Sequence, residues 1–277
     1  MEKYRVSIIL PTYNGAQFIR TAIDSVLNQT FQAWELIILS DGSIDQTKSI
    51  VQEYSKNDER IIFLENEHNI GIQKTLNKGI LFAKGEYVTR LDDDDQWVYK
   101  DKLALQVSYL DSHPNCVLVG TDALIINESG KKIFTSIMPK TDKEIRSKIL
   151  SKNCFLHSTV MMRKTTIHTV GGYKESPTVL HIEDYELWLR LGTVGQFVNI
   201  DVVSTSLVVH SNSLTSKNRV QQAKHILFLI SCYKATYPNF LLGYVVALAR
   251  YIGFVCMSTV PIPKKLFYFI QRIYKRL

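Results

Sequence analysis

Four consecutive carboxylates, Asp92-Asp93-Asp94-Asp95, close a strand-like run from Glu86 to Leu91. Four like charges side by side repel, so something must hold them there. Hard divalent cations such as Mn2+ or Mg2+ take oxygen ligands and bridge to substrate phosphates, and open α/β folds bind ligands at the carboxyl ends of their strands. The run therefore reads as a seat for a divalent metal carrying a phosphorylated substrate. Taken alone, it reads equally well as a solvated acidic turn.

A second acidic pair, Glu183-Asp184, precedes Tyr185-Glu186-Leu187-Trp188-Leu189-Arg190 and opens an amphipathic helix. First-turn acids also arise simply from the helix dipole. Pro11-Thr12-Tyr13-Asn14 follows an apolar strand, and Tyr13 offers a ring on which a base can stack. Ser40-Asp41-Gly42-Ser43-Ile44-Asp45 follows another, with Asp41 as an acceptor for a base N–H and Asp45 as a helix N-cap. His157-Ser158-Thr159-Val160 and His210-Ser211-Asn212-Ser213 supply the other polar groups at strand ends.

The elements that must position these groups alternate. Val6–Leu10, Leu36–Leu39, Ile61–Leu64 and the run into the aspartates read as strands. Helical spacing follows each of the first three, over 18–27, 45–54 and 72–83. That order predicts a doubly wound sheet, parallel at least in this half. Further on, helices are expected from Lys102 to His113, near 142–150 and near 184–191, with strands over 116–120 and 157–162. Asn127-Glu128-Ser129-Gly130 marks a hairpin turn. Beyond Leu207 the texture becomes long helical runs, 220–233, 240–257 and 264–277. Neither G-x-G-x-x-G nor a Walker sequence occurs, so the usual dinucleotide and nucleoside-triphosphate fingerprints are missing.

At 277 residues and 45% hydrophobic composition the chain can bury a full core. Its four cysteines, Cys116, Cys154, Cys232 and Cys256, contain no C-x-x-C pair, which fits neither a disulfide framework nor a zinc site. The apolar run Val6–Leu10 is too short for a secretory core, so a cytoplasmic location is expected. The net charge of +7 hides an asymmetry. Ten lysines and arginines and no acid follow Asp201, which leaves 23 basic against 26 acidic residues before it. A strongly basic tail behind a mildly acidic body points to an anionic surface partner. Arg250 interrupts the apolar stretch 240–257, and a membrane-spanning helix needs about 20 mostly apolar residues. That stretch is accordingly expected to lie at the interface or to pack. The last segment, 264–277, mixes five cations with aromatics, as membrane-surface helices do.

Taken in order, the motifs resemble the inverting, nucleotide-sugar glycosyltransferases of family 2, which have the GT-A fold. The match is carried by Val6 to Gly15, Gln29-Thr30-Phe31, Glu35 to Ile38 with Ser40-Asp41-Gly42-Ser43, and Leu76 to Ile80. Gly85 to Asp95, Gly171-Gly172-Tyr173 and Glu183-Asp184 complete it, over roughly residues 4–215. The resemblance implies a Rossmann-like, mostly parallel doubly wound α/β sheet over residues 1–215. A helical, basic, membrane-associating extension over 216–277 follows it. It also implies roles. Pro11, Tyr13, Asn14 and Asp41 would line the pocket for the donor base, most often uridine. Asp92 would lie near the ribose, with Asp93 and Arg90 also on the donor side. Asp94 would bind Mn2+ or Mg2+, and His210 is a further candidate ligand. Asp184 stands where the family has its general base, and Glu183 would position the acceptor.

The implied reaction moves a sugar from a nucleotide-diphosphate donor to a glycan or lipid-linked glycan with inversion, as in surface polysaccharide biosynthesis. The enzyme would sit on the cytoplasmic face of the plasma membrane as a peripheral protein. No nucleic-acid partner is implied. Two departures stand out. The segment 96–103 lacks the proline and arginine common after the aspartates, and Leu207-Val208-Val209 lacks the Tyr-Arg common before the histidine. Arg90 or Lys217 would then have to meet the diphosphate. A nucleotidyltransferase is the enzymatic alternative, but it would want a Gly-rich, cation-bearing loop after the first strand, which Pro11-Thr12-Tyr13-Asn14-Gly15 is not. A non-catalytic nucleotide-sugar or membrane-binding module is the other.

Overall fold

The structure is a computed structural model that describes residues 4–209 and 219–259. His210, Lys217 and the segment 264–277 lie outside those residues. Strands β1 (Val6–Thr12), β2 (Trp34–Ser40), β3 (Ile61–Glu65) and β4 (Tyr87–Arg90) alternate with helices α1 (Ile19–Leu27), α2 (Thr47–Asn57) and α3 (Ile72–Phe82). The strands run parallel in the order β3-β2-β1-β4, as the alternation of runs predicts.

Strand periodicity sorts the side chains into two cores. Ile8 and Leu10 of β1 with Leu36 and Ile38 of β2 face α1, α2 and, further on, α4 (Lys102–Ser112). Ile9, Ile37 and Leu39 face α3 on the other side. Because both faces are covered, these strands read as continuous apolar runs rather than alternating ones. Each fully buried Ile or Leu contributes roughly 1.5–3 kcal/mol.

The second half is mixed. After β5 (Gln96–Trp97) and α4 come β6 (Cys116–Asn127), β7 (Lys132–Ser136) and α5 (Asp142–Lys148). Next are β8 (Met161–Arg163), α6 (Lys164–Thr169), α7 (Glu183–Leu191) and β9 (Gln196–Val209). Strand β8 joins the sheet antiparallel to both β4 and β6, while β9 runs parallel to β6. The expected strand over 157–162 is corrected: His157–Thr159 is a 3-10 turn, and only Met161–Arg163 pairs. Ser158 and Thr159 turn their hydroxyls to Asp95 and to the Leu156 carbonyl instead of continuing a ladder. Two helices follow the described part of the sheet, α8 (Arg219–Cys232) and α9 (Phe240–Thr259).

The parallel registers pair Thr12 with Ser40 and Ser40 with Glu65, and set Ile9 against Arg90. The loops after β1, β2 and β4 therefore share one sheet edge. That edge carries the acidic run.

Candidate active site

Each of the four aspartates has a different local environment. The Asp92 N–H donates to Ser158 Oγ at 3.1 Å, and the Ser158 hydroxyl donates to Asp95 Oδ2 at 2.5 Å. The Val208 N–H donates to the other Asp95 oxygen at 3.2 Å. Asp95 thus ties the run to the 3-10 turn and to β9, and burial raises its pKa well above the usual carboxylate value. Asp93 accepts from the Thr12 hydroxyl at 2.5 Å. Burial, opposed by that hydrogen bond and aided by Asp94 and Asp92, pushes Asp93 up to about 7. Its carboxylate lies against Gly15, where a Cβ would come within 2.1 Å of Asp93 Oδ2. Asp92 is paired with Arg90, Nε to Oδ1 at 2.6 Å. Asp94 is half-buried beside them.

Arg90, at the end of β4, is 8% exposed and continues into a chain of contacts. Its Nη1 lies 2.7 Å from His157 Nδ1, and His157 Nε2 lies 2.6 Å from the Tyr173 hydroxyl. A guanidinium only donates, so Nδ1 accepts and Nε2–H donates to Tyr173, a tautomer assigned from the partners. Burial, then the charge of Arg90, lowers the His157 pKa well below its usual value, which keeps the ring neutral. Tyr173 is fixed from behind by Asn77 of α3, which accepts from its N–H and donates to its carbonyl, each at 2.8 Å. Arg190, locked to Glu186, donates to the Gly172 carbonyl at 2.8 Å. Gly172 has φ +70°, the left-handed region that favours glycine, and a Cβ there would meet Asn77 Oδ1 at 2.7 Å.

Glu183 and Asp184 open α7, the first-turn position favoured for acids by the helix dipole. Glu183 is 9% exposed, and its Oε2 is buried with no hydrogen-bond partner among the described residues. Asp184 Oδ2 accepts from Asn153 Nδ2 at 2.9 Å. Burial raises the pKa of both carboxyls, Glu183 raises that of Asp184 further, and the charge of Arg90 opposes both effects. Buried carboxylates poised above their ordinary range suit proton transfer. An unpaired buried acceptor costs about 1–3 kcal/mol, which leaves Glu183 Oε2 with capacity to accept a further hydrogen bond.

The loops after β1 and β2 are bonded to each other. Asn14, at φ +55°, accepts from the Ile44 N–H at 2.9 Å and donates its own N–H to Ser43 Oγ at 3.0 Å. Tyr13 beside it is 52% exposed, and Pro11 is buried within β1. Asp41 accepts from Asn66 Nδ2, the Ile70 N–H and the Gly71 N–H at 2.9, 2.9 and 3.0 Å. It thus orders the 66–71 loop in addition to facing the edge. The expectation that Asp45 is the N-cap is corrected: α2 begins at Thr47 after Gln46. Asp45 reaches the helix from one residue further out, accepting from the Thr47 N–H at 3.0 Å and bridging to the Ala16 N–H at 3.1 Å.

Of the residues singled out in the sequence, Arg90, Asp92, Asp93, Asp94, Glu183 and Asp184 form one electrostatic neighbourhood. Pro11, Tyr13, Asn14 and Asp41 form the adjoining loops, and His210 lies outside the described residues. Nothing in the sequence signals Asn153, which is 31 positions from the carboxylate it serves. His157 and Tyr173 stand out by type, but their contact does not.

The acidic edge fits a divalent cation by its chemistry. Asp92, Asp93 and Asp94 crowd together beside the Arg90 guanidinium, and burial with the charges of Asp94 and Asp92 raises the Asp93 pKa against the opposing pull of Thr12 and Arg90. Among the described residues no three His, Cys, Asp or Glu side chains form a closed metal cage. Few protein ligands are what Mg2+-like sites use when substrate phosphates and water complete the shell.

Residues 7–171 match the glycosyl transferase family 2, and the chain belongs to that family. It is 33% identical over 188 residues to the putative glycosyltransferase EpsE of Bacillus subtilis, covering 67% of this chain and 66% of that protein. It is 32% identical over 229 residues to a UDP-Glc:alpha-D-GlcNAc-diphosphoundecaprenol beta-1,3-glucosyltransferase, WfgD, of Escherichia coli, covering 81% and 84%. Among solved structures, the mannosyltransferase PcManGT of Pyrobaculum calidifontis, in complex with GDP-Man and Mn2+, superposes with a TM-score of 0.66 at 17% identity. That superposition covers 99% of this chain and 81% of that one. The likeness establishes the GT-A fold for the α/β body.

Proposed function

We propose that the protein transfers a sugar from a nucleotide-diphosphate donor, a UDP-sugar, to a glycan or lipid-linked glycan with inversion at the anomeric carbon. Surface polysaccharide biosynthesis is the process such a reaction serves. The observation that carries this reading is the gathering of two acidic groups, far apart in sequence, about one buried cation. Arg90 is paired with Asp92 of the acidic edge and lies within electrostatic reach of both Glu183 and Asp184. UDP as the carrier is supported by the UDP-Glc donor of WfgD.

In this mechanism the loops at Pro11, Tyr13, Asn14 and Asp41 hold the base, and Asp92 meets the ribose. A divalent cation held by Asp94, with His210 as a further ligand, would supply charge stabilisation for the departing diphosphate. Asp184 removes the proton of the acceptor hydroxyl as its oxygen bonds to the anomeric carbon. The bond from that carbon to the diphosphate oxygen breaks, and its electron pair leaves with the diphosphate. Glu183 Oε2 orients the acceptor sugar by accepting from one of its hydroxyls. Arg90 keeps both carboxyls ionisable in a buried place and faces the diphosphate, the part that Lys217 would otherwise have to play. Residues 1–215 form the catalytic domain, and 216–277 hold it to the cytoplasmic face of the membrane.

The test separates the two neighbouring acids. Asp184→Asn should bind donor, read as an undiminished thermal shift with the nucleotide sugar, yet lose about 10²–10⁴ in turnover. Glu183→Gln should raise the acceptor KM more than it lowers kcat. Full activity in Asp184→Asn together with its loss in Glu183→Gln would move the base to Glu183.

A further inference from the structure

Helix α9 has two unlike faces, and the buried one leads to the catalytic pair. Gly243, Ala247 and Arg250 recur at helical spacing on that face, after Asn239 at the entry to the helix. The stripe lies on residues 147–151. Asn239 Nδ2 donates to the Ser147 carbonyl at 3.0 Å, and Arg250 Nη1 donates to the Ser151 carbonyl at 2.8 Å. Between them Gly243 sits so close that a Cβ would come within 2.8 Å of the Leu150 carbonyl oxygen. From the opposite side α7 holds the same stretch, since the Tyr185 hydroxyl donates to the Ile149 carbonyl.

Two residues past Ser151 stands Asn153. Its amide orientation is fixed, with Oδ1 accepting the Phe155 N–H at 3.1 Å and Nδ2 donating to Asp184 Oδ2 at 2.9 Å. The segment 147–153 is therefore clamped by α9 at one end and delivers a hydrogen-bond donor to Asp184 at the other.

We propose that α9 is a positioning element for the transfer reaction: its clamp on 147–151 fixes Asn153, and Asn153 holds the Asp184 carboxylate in place to receive the acceptor proton. This rests on the reading of Asp184 as the base. Asn153 and α9 touch no reacting atom and act through that carboxylate.

The groups facing Asp184 are Glu183 and Tyr185 from α7, Arg90 from the end of β4 and Tyr173 from the 171–176 turn. Burial and Glu183 favour its protonated form, while Arg90 and the Asn153 amide favour the charged one. Loss of the amide should thus move the rising limb of the kcat–pH profile to higher pH. A merely structural role would lower the melting temperature and leave that limb where it is.

The experiment compares kcat–pH profiles of the full chain with its UDP-sugar donor and acceptor. Wild type, Asn153→Ala, Gly243→Val and Asp184→Asn are measured in parallel. We expect the limb to move to higher pH in Asn153→Ala and equally in Gly243→Val, with donor KM unchanged in both. For every pH unit that the limb moves, kcat on its acidic side falls about tenfold. If Gly243→Val melts as an unfolded protein, Arg250→Gln, which removes the bond to Ser151, takes its place. Wild-type profiles in both variants, with Asp184→Asn inactive, would overturn the relay and leave the base standing. A displaced limb in Asn153→Ala without one in the α9 variant would overturn the part played by the helix. Turnover retained in Asp184→Asn would instead remove the base reading on which the proposal rests.

Discussion

Among single residues, the four aspartates divide by what surrounds them. Asp95 is a buried tie, Asp93 is bonded to Thr12, Asp92 is paired with Arg90, and Asp94 is half-buried at the sheet edge. Substitution should therefore separate metal binding from scaffolding. Asp94→Asn should lower transfer by about 10²–10³, the cost of removing one electrostatic stabiliser, and should abolish stimulation by added Mn2+. Asp95→Asn should instead lower the melting temperature, because it disturbs the link between the acidic run and β9. Near-normal Mn2+-dependent turnover in Asp94→Asn, measured by release of the nucleotide diphosphate, would remove Asp94 from the metal site. The run itself is plain in the sequence, where it reads as four equivalent acids. What distinguishes them is not, because Ser158, Val208 and Thr12 lie 63, 113 and 81 positions from the carboxylates they bond. No local pattern encodes such distances.

Among the elements, the parallel half is legible because strands buried on both faces make unbroken apolar runs that stand out between helical spacings. The longest strand, β9, is not. Its buried positions include Asn199, Ser204, Thr205 and Ser206. Ser204 Oγ lies 2.6 Å from Thr121 Oγ1 across the sheet, and Asn199 Nδ2 donates to the Pro139 and Cys154 carbonyls, so the polar residues that obscure the pattern are core residues. Register shifts of β6 around Asp122 further blur any alternation. The 171–176 turn shows the converse, a motif legible by type whose function lies in its partners. Gly171 and Gly172 both have positive φ, but of the two only Gly172 abuts another side chain, Asn77. Gly171→Ala should cost about 1–2 kcal/mol, the strain of a left-handed residue bearing a Cβ. Gly172→Ala should cost more and, by displacing Tyr173 from His157 and so disturbing Arg90 beside Glu183, raise the acceptor KM through the role proposed for Glu183. Denaturant unfolding together with steady-state kinetics on both variants checks this. Equal effects on stability and KM in the two would refute the contact-specific role.

For the whole molecule, the charge asymmetry and α9 bear on one part of the proposal, that the chain binds a membrane surface. The stretch Phe240–Met257 has a mean hydropathy of 1.9 and is long and apolar enough to cross a bilayer. Its contacts argue for a different placement. One face is committed to the catalytic body through Gly243, Ala247 and Arg250, while Leu241, Leu242, Val245, Leu248 and Ile252 face outward. Spanning would strip the Arg250 bond to Ser151 and place that charge in hydrocarbon, an expensive position. Lying along the surface keeps the bond and immerses only the outward face. The ten cations after Asp201 then act from the same end of the chain, each worth about 1 kcal/mol near an anionic leaflet. Binding should accordingly have two parts, a charge-dependent one that salt weakens and an apolar one that salt leaves. In flotation with vesicles of neutral or anionic lipid, recovery should be higher on anionic vesicles and fall with salt. Leu241→Ser/Leu248→Ser should lower the fraction that survives high salt without altering donor turnover in solution. Recovery indifferent to lipid charge and salt, with the C-terminus cleaved by protease from the far side of intact vesicles, would establish a spanning helix instead.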